Sequence, residues 1–429
     1  MGKIINPRFT FPGSEVNSMG VKQETGRVSR RSFTTGLAAL AAAGIIPRSV
    51  QGANDRLGIG VIGCGGRGSD HLNTLNQVQE AGENLAVTAV CDVYRPRLIK
   101  AADKTGAKPY MHHQELLADP EVDAVLIATP DHWHGYQLLD ACEAGKDAYC
   151  EKPLTHWRQV ELTRKVVQAV KVSKRVVQTG TQTLSSSAWT QAARMIQEGA
   201  IGQPIHAQAG YFRIGDWGER MPVDDPGAKS GPDLLWDAFL GDAPKRDFSV
   251  SRFFQWRMYW DYAGGPSTDL FPHTFAPVLR MLNVSFPATV CASGGKFRYD
   301  GEREVPDTFN LLLDFPEGLS VALLCTLGND YPVPLVVRGE EGTLVFEGDN
   351  ILVKPQPGVD RPPKVDPVQR KESMGDFWRN FLACCRTRET PWSPMELAYP
   401  VQTALQMGVF ALREQKVVRF SRESGTILL

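Results

Sequence analysis

The chain has 429 residues, 22% of them charged, and a formal net charge of -1. That length suits two or three domains, and the near-neutral balance gives no electrostatic footprint for a nucleic acid or another polyanion. No apolar run reaches the roughly 18 residues of a membrane span, and the eight cysteines include no C-x-x-C pair that would indicate a zinc or dithiol site.

In chain order, Ser29-Arg30-Arg31-Ser32-Phe33 precedes the Ala-rich stretch from Gly36 to Ile46. A twin arginine before a short, mildly apolar segment resembles a Tat export signal. The other reading of these residues is a disordered basic arm with an Ala-rich helix. Small residues around Val50 and Gly52 have cleavage-like spacing. Residues 1–53 are therefore set apart from the fold, and the expected location is periplasmic, reached through the Tat machinery.

The first strand, from Leu57 to Ile62, runs into Gly63-Cys64-Gly65-Gly66-Arg67-Gly68. In the G-x-G-x-x-G spacing, Gly63 permits the tight turn, Gly65 lets a pyrophosphate approach the backbone, and Gly68 allows close packing of helix on strand. The phosphates would sit at the helix N-terminus, where unpaired N–H groups and the dipole favour negative charge. A second strand, Leu85 to Cys91, ends at Asp92, placed to bind the adenosine ribose hydroxyls. Asp92 favours NAD over NADP by repelling a 2′-phosphate, while Arg95 and Arg97 could reverse that preference. NAD or NADP is the expected cofactor. Tat export carries folded proteins to a compartment without a free nicotinamide pool, so such a cofactor would have to be tightly bound.

A helix over 94–105, a buried strand Ala124–Ala128, a helix from about His134 to Ala144, a strand Asp147–Cys150, a helix over 157–172 and a strand Arg175–Thr179 continue the alternation. This predicts a doubly wound parallel sheet, with ligands at the carboxyl ends of its strands. After a helix near 187–199, the pattern changes to strands at roughly 204–214, 288–298, 306–314, 319–327, 333–338, 342–346 and 350–354 with few helices between, an antiparallel or mixed sheet. Residues 355–371 read as a surface loop, and helices over 373–386 and 394–414 follow, the second expected to pack back on the first domain. The expected organisation is α/β plus α+β: a Rossmann domain over 54–180 and a substrate and oligomerisation domain over 181–429.

Two groups of residues can carry chemistry. Lys152, in Glu151-Lys152-Pro153 directly after a parallel strand, points into the expected cleft and can lower the pKa of a substrate hydroxyl; in isolation it also reads as a solvated strand-end lysine. Asp269 and His273 stand four apart after Gly264-Gly265-Pro266, on one face of a predicted helix. They read either as a general base with its partner carboxylate or as a helix cap and a core histidine. The region 211–262 is dense in aromatic rings, among them Trp217 and Trp260, with Arg213 and Arg257 able to grip hydroxyls or a carboxylate. Most of the rings are expected to cover a sheet face or an oligomer contact. His112, His113, His132 and His134 have no carboxylate or cysteine at ligand spacing, and no metal is expected.

Taken together, the glycine fingerprint, Cys91-Asp92, Thr129-Pro130 with His134, Glu151-Lys152-Pro153, and Asp269 with His273 resemble the Gfo/Idh/MocA oxidoreductases over residues 55–420. The resemblance implies a Rossmann domain followed by an open, mostly antiparallel sheet supporting dimers or tetramers. It implies that His273 is the catalytic acid/base, that Lys152 contacts the reacting hydroxyl, that Asp269 binds a hydroxyl nearby, and that Thr129, Pro130, His134 and Glu151 lie at the cofactor. It also implies a sugar, cyclitol or glycoside substrate, for which Arg213, Arg257 and Trp260 are candidate contacts. With its twin arginine, the chain looks like the exported branch that includes glucose-fructose oxidoreductase and the glycoside 3-dehydrogenases. The alternatives are a glycosidase that uses NAD transiently for oxidation, elimination, hydration and reduction, and a non-catalytic sugar-binding protein.

Overall fold

The computed structural model describes residues 56–215 and 221–429, which fall within one compact unit, Gly52–Leu429. The twin-arginine segment and Trp217 lie outside the described residues.

Six parallel strands form the first sheet. They are β1 (Leu57–Ile62), β2 (Leu85–Cys91), β3 (Lys108–Tyr110), β4 (Ala124–Ile127), β5 (Asp147–Cys150) and β6 (Val177–Thr179), in the order β3-β2-β1-β4-β5-β6. The crossovers are α1 (Gly66–Glu80), α2 (Arg95–Thr105), α3 (His113–Ala118), α4 (Asp131–Glu143) and α5 (Val160–Ser173). β4 and β5 are buried at every position, because helices cover both faces of the sheet. The strand order reverses between β1 and β4, so a crevice opens at their carboxyl ends, where Gly63 and Thr129 stand. Helix α4 begins at Asp131, three residues before the sequence places it: Pro130 supplies a fixed φ at the position just before the helix and Asp131 sits favourably in its first turn.

The second sheet follows α6 (Ala188–Gln197) and β7 (Pro204–Ile214). The chain then passes through α7 (Trp236–Leu240), α8 (Val250–Phe254), α9 (Pro266–Asp269) and α10 (Phe271–Leu282) before β8 (Thr289–Gly295), β9 (Thr308–Phe315) and β10 (Leu319–Thr326). Beyond these come β11 (Gly328–Asn329), β12 (Val336–Gly339), β13 (Gly342–Glu347), β14 (Asn350–Pro355) and β15 (Lys364–Pro367). Helices α11 (Met374–Thr387) and α12 (Met395–Glu414) precede the last strands, β16 (Val418–Ser421) and β17 (Thr426–Leu428). The order is β15-β14-β13-β12-β7-β10-β9-β8-β16-β17, with β11 on β7, and every pairing is antiparallel except β7 with β10. The strict in-out alternation of β9 and β10 marks a sheet with one face on the core, where α10 and α12 lie.

Two expectations are corrected. β15 forms inside the stretch read as a loop, because β14 offers an unpaired edge whose backbone hydrogen bonds outweigh the poor strand propensity of Lys364 and Asp366. The helix expected to carry both Asp269 and His273 is broken at Leu270 into α9 and α10, since Pro272 at the start of α10 cannot continue the hydrogen-bond ladder. Helix α12 packs on α5: Gln402 donates to the Thr155 carbonyl at 2.8 Å and Gln406 to that of His156 at 3.1 Å. All eight cysteines are free thiols. No described helix is long and apolar enough to cross a membrane.

Candidate functional site

A cavity of about 1300 Å³ runs from the glycine turn, past the ends of β2, β4 and β5, to Lys152, Asp269 and His273. At the turn, Gly63 has φ +94°, and a Cβ there would stand 2.7 Å from the Ala128 carbonyl oxygen. A Cβ on Gly68 would lie 1.9 Å from the Gly63 carbonyl oxygen, so α1 rests directly on the turn. Cys64, Gly65, Gly66 and Arg67 line the cavity at the N-terminus of α1, whose first N–H groups are available to an anion. Asp92 also lines it, its carboxylate taking the N–H groups of Cys64 at 2.8 Å and Tyr94 at 2.9 Å. Burial pushes its pKa up, against the pull of the Arg97 guanidinium. An anion cradle, an acceptor carboxylate at the end of β2 and glycines where a Cβ would collide are features that a dinucleotide requires, and the residues fit NAD.

Glu151 closes β5 from behind. Its Oε1 accepts from Arg67 Nε and from His71 Nε2, both at 2.8 Å, and its Oε2 accepts the Lys152 backbone N–H at 3.1 Å. His71 Nδ1 accepts from Trp378 Nε1 at 2.9 Å, so its proton sits on Nε2, facing Glu151. Burial raises the Glu151 carboxyl, but the Arg67 charge and the His71 hydrogen bond outweigh it and hold the group well below the carboxylate range. Thr129 and Pro130 line the cavity. His134 touches it, its ring nitrogens lying 2.6 Å from the Pro153 carbonyl oxygen and 2.8 Å from that of Thr129, and the neutral ring donates to one of the two. It ties the end of β4 to the Lys152-Pro153 turn while lining the cavity expected to hold the cofactor.

Lys152 Nζ donates to Asp269 Oδ1 and to the Asp269 carbonyl, both at 2.7 Å. Arg257 Nε reaches Oδ1 at 3.3 Å, and Arg213 lies 3.9 Å from Oδ2. Burial alone would raise the Asp269 pKa, but Lys152 and then Arg257 hold it well below the usual range. His273 lines the same cavity. Its Nδ1 is shielded and has no hydrogen-bond partner among the described residues, and burial, with Lys152 beside it, pushes its pKa down to about 3. A neutral imidazole, an ammonium and a carboxylate thus face one space, where they can accept a proton, stabilise an oxyanion and hold a hydroxyl. The sequence pairs Asp269 with His273 by spacing. Asp269 is bonded to Lys152 instead, because the break at Leu270 takes the two residues off one helical face.

Of the substrate candidates, Arg213 and Arg257 line the cavity and Trp260 does not. Its ring packs edge-on against Trp157 at 5.8 Å and under Arg413 at 4.8 Å. Most of the aromatic stretch, including Trp236, Phe239 and Tyr262, makes its own buried cluster. Asp131 does not line the cavity, but it is buried behind it within charge range of Arg257, Asp269 and Lys152, a placement the sequence alone does not single out. It is buried in the first turn of α4, where burial pushes its carboxyl up to about 7 against the charge of Arg257, with Asp269 nearby. Its place at the carboxyl end of β4, after Thr129-Pro130, was the available signal. Among the described residues, no group of three or more His, Cys, Asp or Glu is placed to hold a metal ion.

Fold and cavity are those of a dinucleotide-binding Rossmann domain joined to a mixed-sheet domain. Residues 57–181 match the family model described as oxidoreductase family, NAD-binding Rossmann fold, and residues 238–345 match the GFO/IDH/MocA C-terminal domain. Together they span more than half of the sequence, and the chain belongs to the Gfo/Idh/MocA family. It is 32% identical over 150 residues to inositol 2-dehydrogenase/D-chiro-inositol 3-dehydrogenase of Lactiplantibacillus plantarum, covering 34% of this chain and 41% of that one. It is 33% identical over 150 residues to inositol 2-dehydrogenase 3 of Saccharopolyspora erythraea, covering 35% and 43%. The chain therefore spans less than half the length of these relatives. Its fold is similar to that of levoglucosan dehydrogenase in complex with NADH and levoglucosan, with a TM-score of 0.65, 20% identity, and coverage of 85% of this chain and 99% of that one.

Proposed function

We propose that the chain is an NAD-dependent dehydrogenase acting on a ring hydroxyl of a sugar, cyclitol or glycoside. The observation that carries this reading is the convergence of Lys152, Asp269 and His273 on the cavity that begins at the glycine turn. When bound, the nicotinamide supplies the hydride acceptor. His273 takes the hydroxyl proton, Lys152 stabilises the developing alkoxide, and the shielded Oδ2 of Asp269, without a hydrogen-bond partner among the described residues, accepts from a neighbouring hydroxyl. Arg213 and Arg257 border the substrate end. Inositol and levoglucosan, in the relatives' names, are polyhydroxylated rings and suit such a site. The proposal extends to Tat export of a folded protein with its nucleotide tightly held, and to homo-oligomers formed through the outer face of the second sheet, where Leu312 is exposed.

The test is to mix protein purified without added nucleotide, then with NAD, with inositols and simple glycosides, following the reduced-nicotinamide absorbance band and any released aglycone. A lasting band with one compound is the expected result. Released aglycone without a lasting band would replace net oxidation by net hydrolysis, and binding without either signal would leave a non-catalytic protein.

A further inference from the structure

Arg97 holds a position that matters for the choice between the two nicotinamide dinucleotides. It projects from the first turn of α2 back over the glycine turn, with Nη1 3.3 Å from where a Cβ of Gly65 would stand. An arginine there, just after the acid that ends β2, is placed to receive a 2′-phosphate on the adenosine ribose. In this chain it is already engaged. Its Nη2 and Nε donate to Asp224 Oδ2 at 2.7 and 3.2 Å, and its guanidinium lies 5.0 Å from the ring centre of Phe254 and 5.7 Å from that of Phe253. Asp225, next in the chain, accepts from the Tyr94 hydroxyl at 3.2 Å.

Two carboxylates, Asp92 and Asp224, thus share one guanidinium at this end of the cavity, with Asp225 held on Tyr94 beside them. Arg95, the other early arginine of α2, is turned away onto Asp233 at 2.7 Å. Lys104 is bonded to Asn73, and Lys100 lies three residues beyond Arg97 along α2. A ribose 2′-hydroxyl needs only an acceptor here, and Asp92 is one. A 2′-phosphate would add about two negative charges beside Asp92 and would have to draw Arg97 off Asp224.

We propose that Asp224, contributed by the segment between β7 and α7 of the second domain rather than by the Rossmann domain, sets the selection of NAD over NADP by sequestering Arg97. The proposal rests on the dinucleotide reading of the cavity. It makes Asp224 a specificity-determining residue that acts through Arg97 and touches neither substrate nor the reacting atoms.

The experiment is equilibrium dialysis of the full chain against equal concentrations of NAD and NADP, with the bound nucleotides identified by chromatography after denaturation. Wild-type protein should carry NAD in excess of NADP. Asp224→Asn should lower the bound NAD:NADP ratio by about tenfold or more through a gain in NADP, the scale of one charge-assisted hydrogen bond. Arg97→Ala should leave the wild-type ratio nearly unchanged, and Asp224→Asn combined with Arg97→Ala should lose the gain. NADP bound by wild type as well as NAD would overturn the proposal, as would an unchanged ratio in an Asp224→Asn protein that still binds NAD. A collapse of NADP binding in Arg97→Ala would also overturn it, and decides the matter if Asp224→Asn does not fold. Absence of both nucleotides from wild type would remove the cofactor reading itself, and the proposal with it.

Discussion

At the scale of single residues, the site is set by which charges are buried together. Lys152 and Asp269 form a close pair with Arg257 on the same carboxylate oxygen, so the pair carries an excess of positive charge into the space that His273 faces. The lack of solvent and that charge hold the imidazole neutral, with its pKa near 3, so it stays unprotonated throughout the neutral range. His273→Ala should therefore lower turnover by about 10²- to 10⁴-fold while the protein still binds nucleotide. Near-normal turnover in that variant would remove His273 from the chemistry. A neutral His273 also leaves a pH dependence near 7 to another group, and Asp131, raised to about 7, is placed to supply it. Above that pH the Asp131 carboxylate offsets part of the local positive charge and favours protonation of the base. Accordingly kcat/KM should rise with pH through about 7, and the limb should vanish in Asp131→Asn. A limb that persists unchanged in the variant would belong to a different group.

At the scale of elements, backbone punctuation explains why much of the Rossmann half is legible in the sequence. Glycines at fixed spacing, apolar runs without alternation and an acid at a strand end each follow from local sterics, and β1, β2, β4 and β5 lie where those signals put them. Lys152 is legible for the same reason, since the Glu151-Lys152-Pro153 turn leaves the carboxyl end of a parallel strand, where the crevice opens. What the sequence does not convey is set by tertiary contact. Trp260 resembles any other ring in an aromatic stretch until Trp157 and Arg413 capture it, and β15 exists because β14 has a free edge. The break at Leu270 was readable from Pro272, but the i, i+4 spacing of Asp269 and His273 masks it. The glycine turn gives the sharpest expectation at this scale. Gly68→Ala places a methyl group 1.9 Å from the Gly63 carbonyl oxygen, backbone against backbone, so α1 must lift off the turn. The variant should lose about 3 kcal/mol, read as a lower urea midpoint, and should lose nucleotide binding. An unchanged midpoint would mean that the turn relaxes without cost.

At the scale of the whole molecule, the two C-terminal helices bind the sheets together through buried polar contacts. Trp378 of α11 donates to His71, Arg388 grips Asp147 through two nitrogens at 2.6 and 2.8 Å, and Gln406 of α12 reaches the turn before α5. Several of the groups enclosed in this way are histidines that burial keeps neutral. His71, His132, His134, His156 and His273 all have lowered pKa values, that of His132 falling to about 4. A histidine with a folded pKa below its unfolded value binds fewer protons in the native state than in the unfolded chain. Its contribution is complete above about pH 6.5 and is lost as pH falls toward the folded value. Asp131 works in the opposite direction between about 4 and 7, since its raised carboxyl favours the protonated native form, but five histidines outweigh one acid. For His132 alone the loss by pH 5 is about 2 kcal/mol. The unfolding temperature should therefore fall steeply between pH 6.5 and 5, before the buried carboxylates Glu151 and Asp269 begin to titrate. His132→Gln should show a shallower fall than the wild type. A flat profile down to pH 5 would mean that these rings gain access to water or to an acceptor in the native protein.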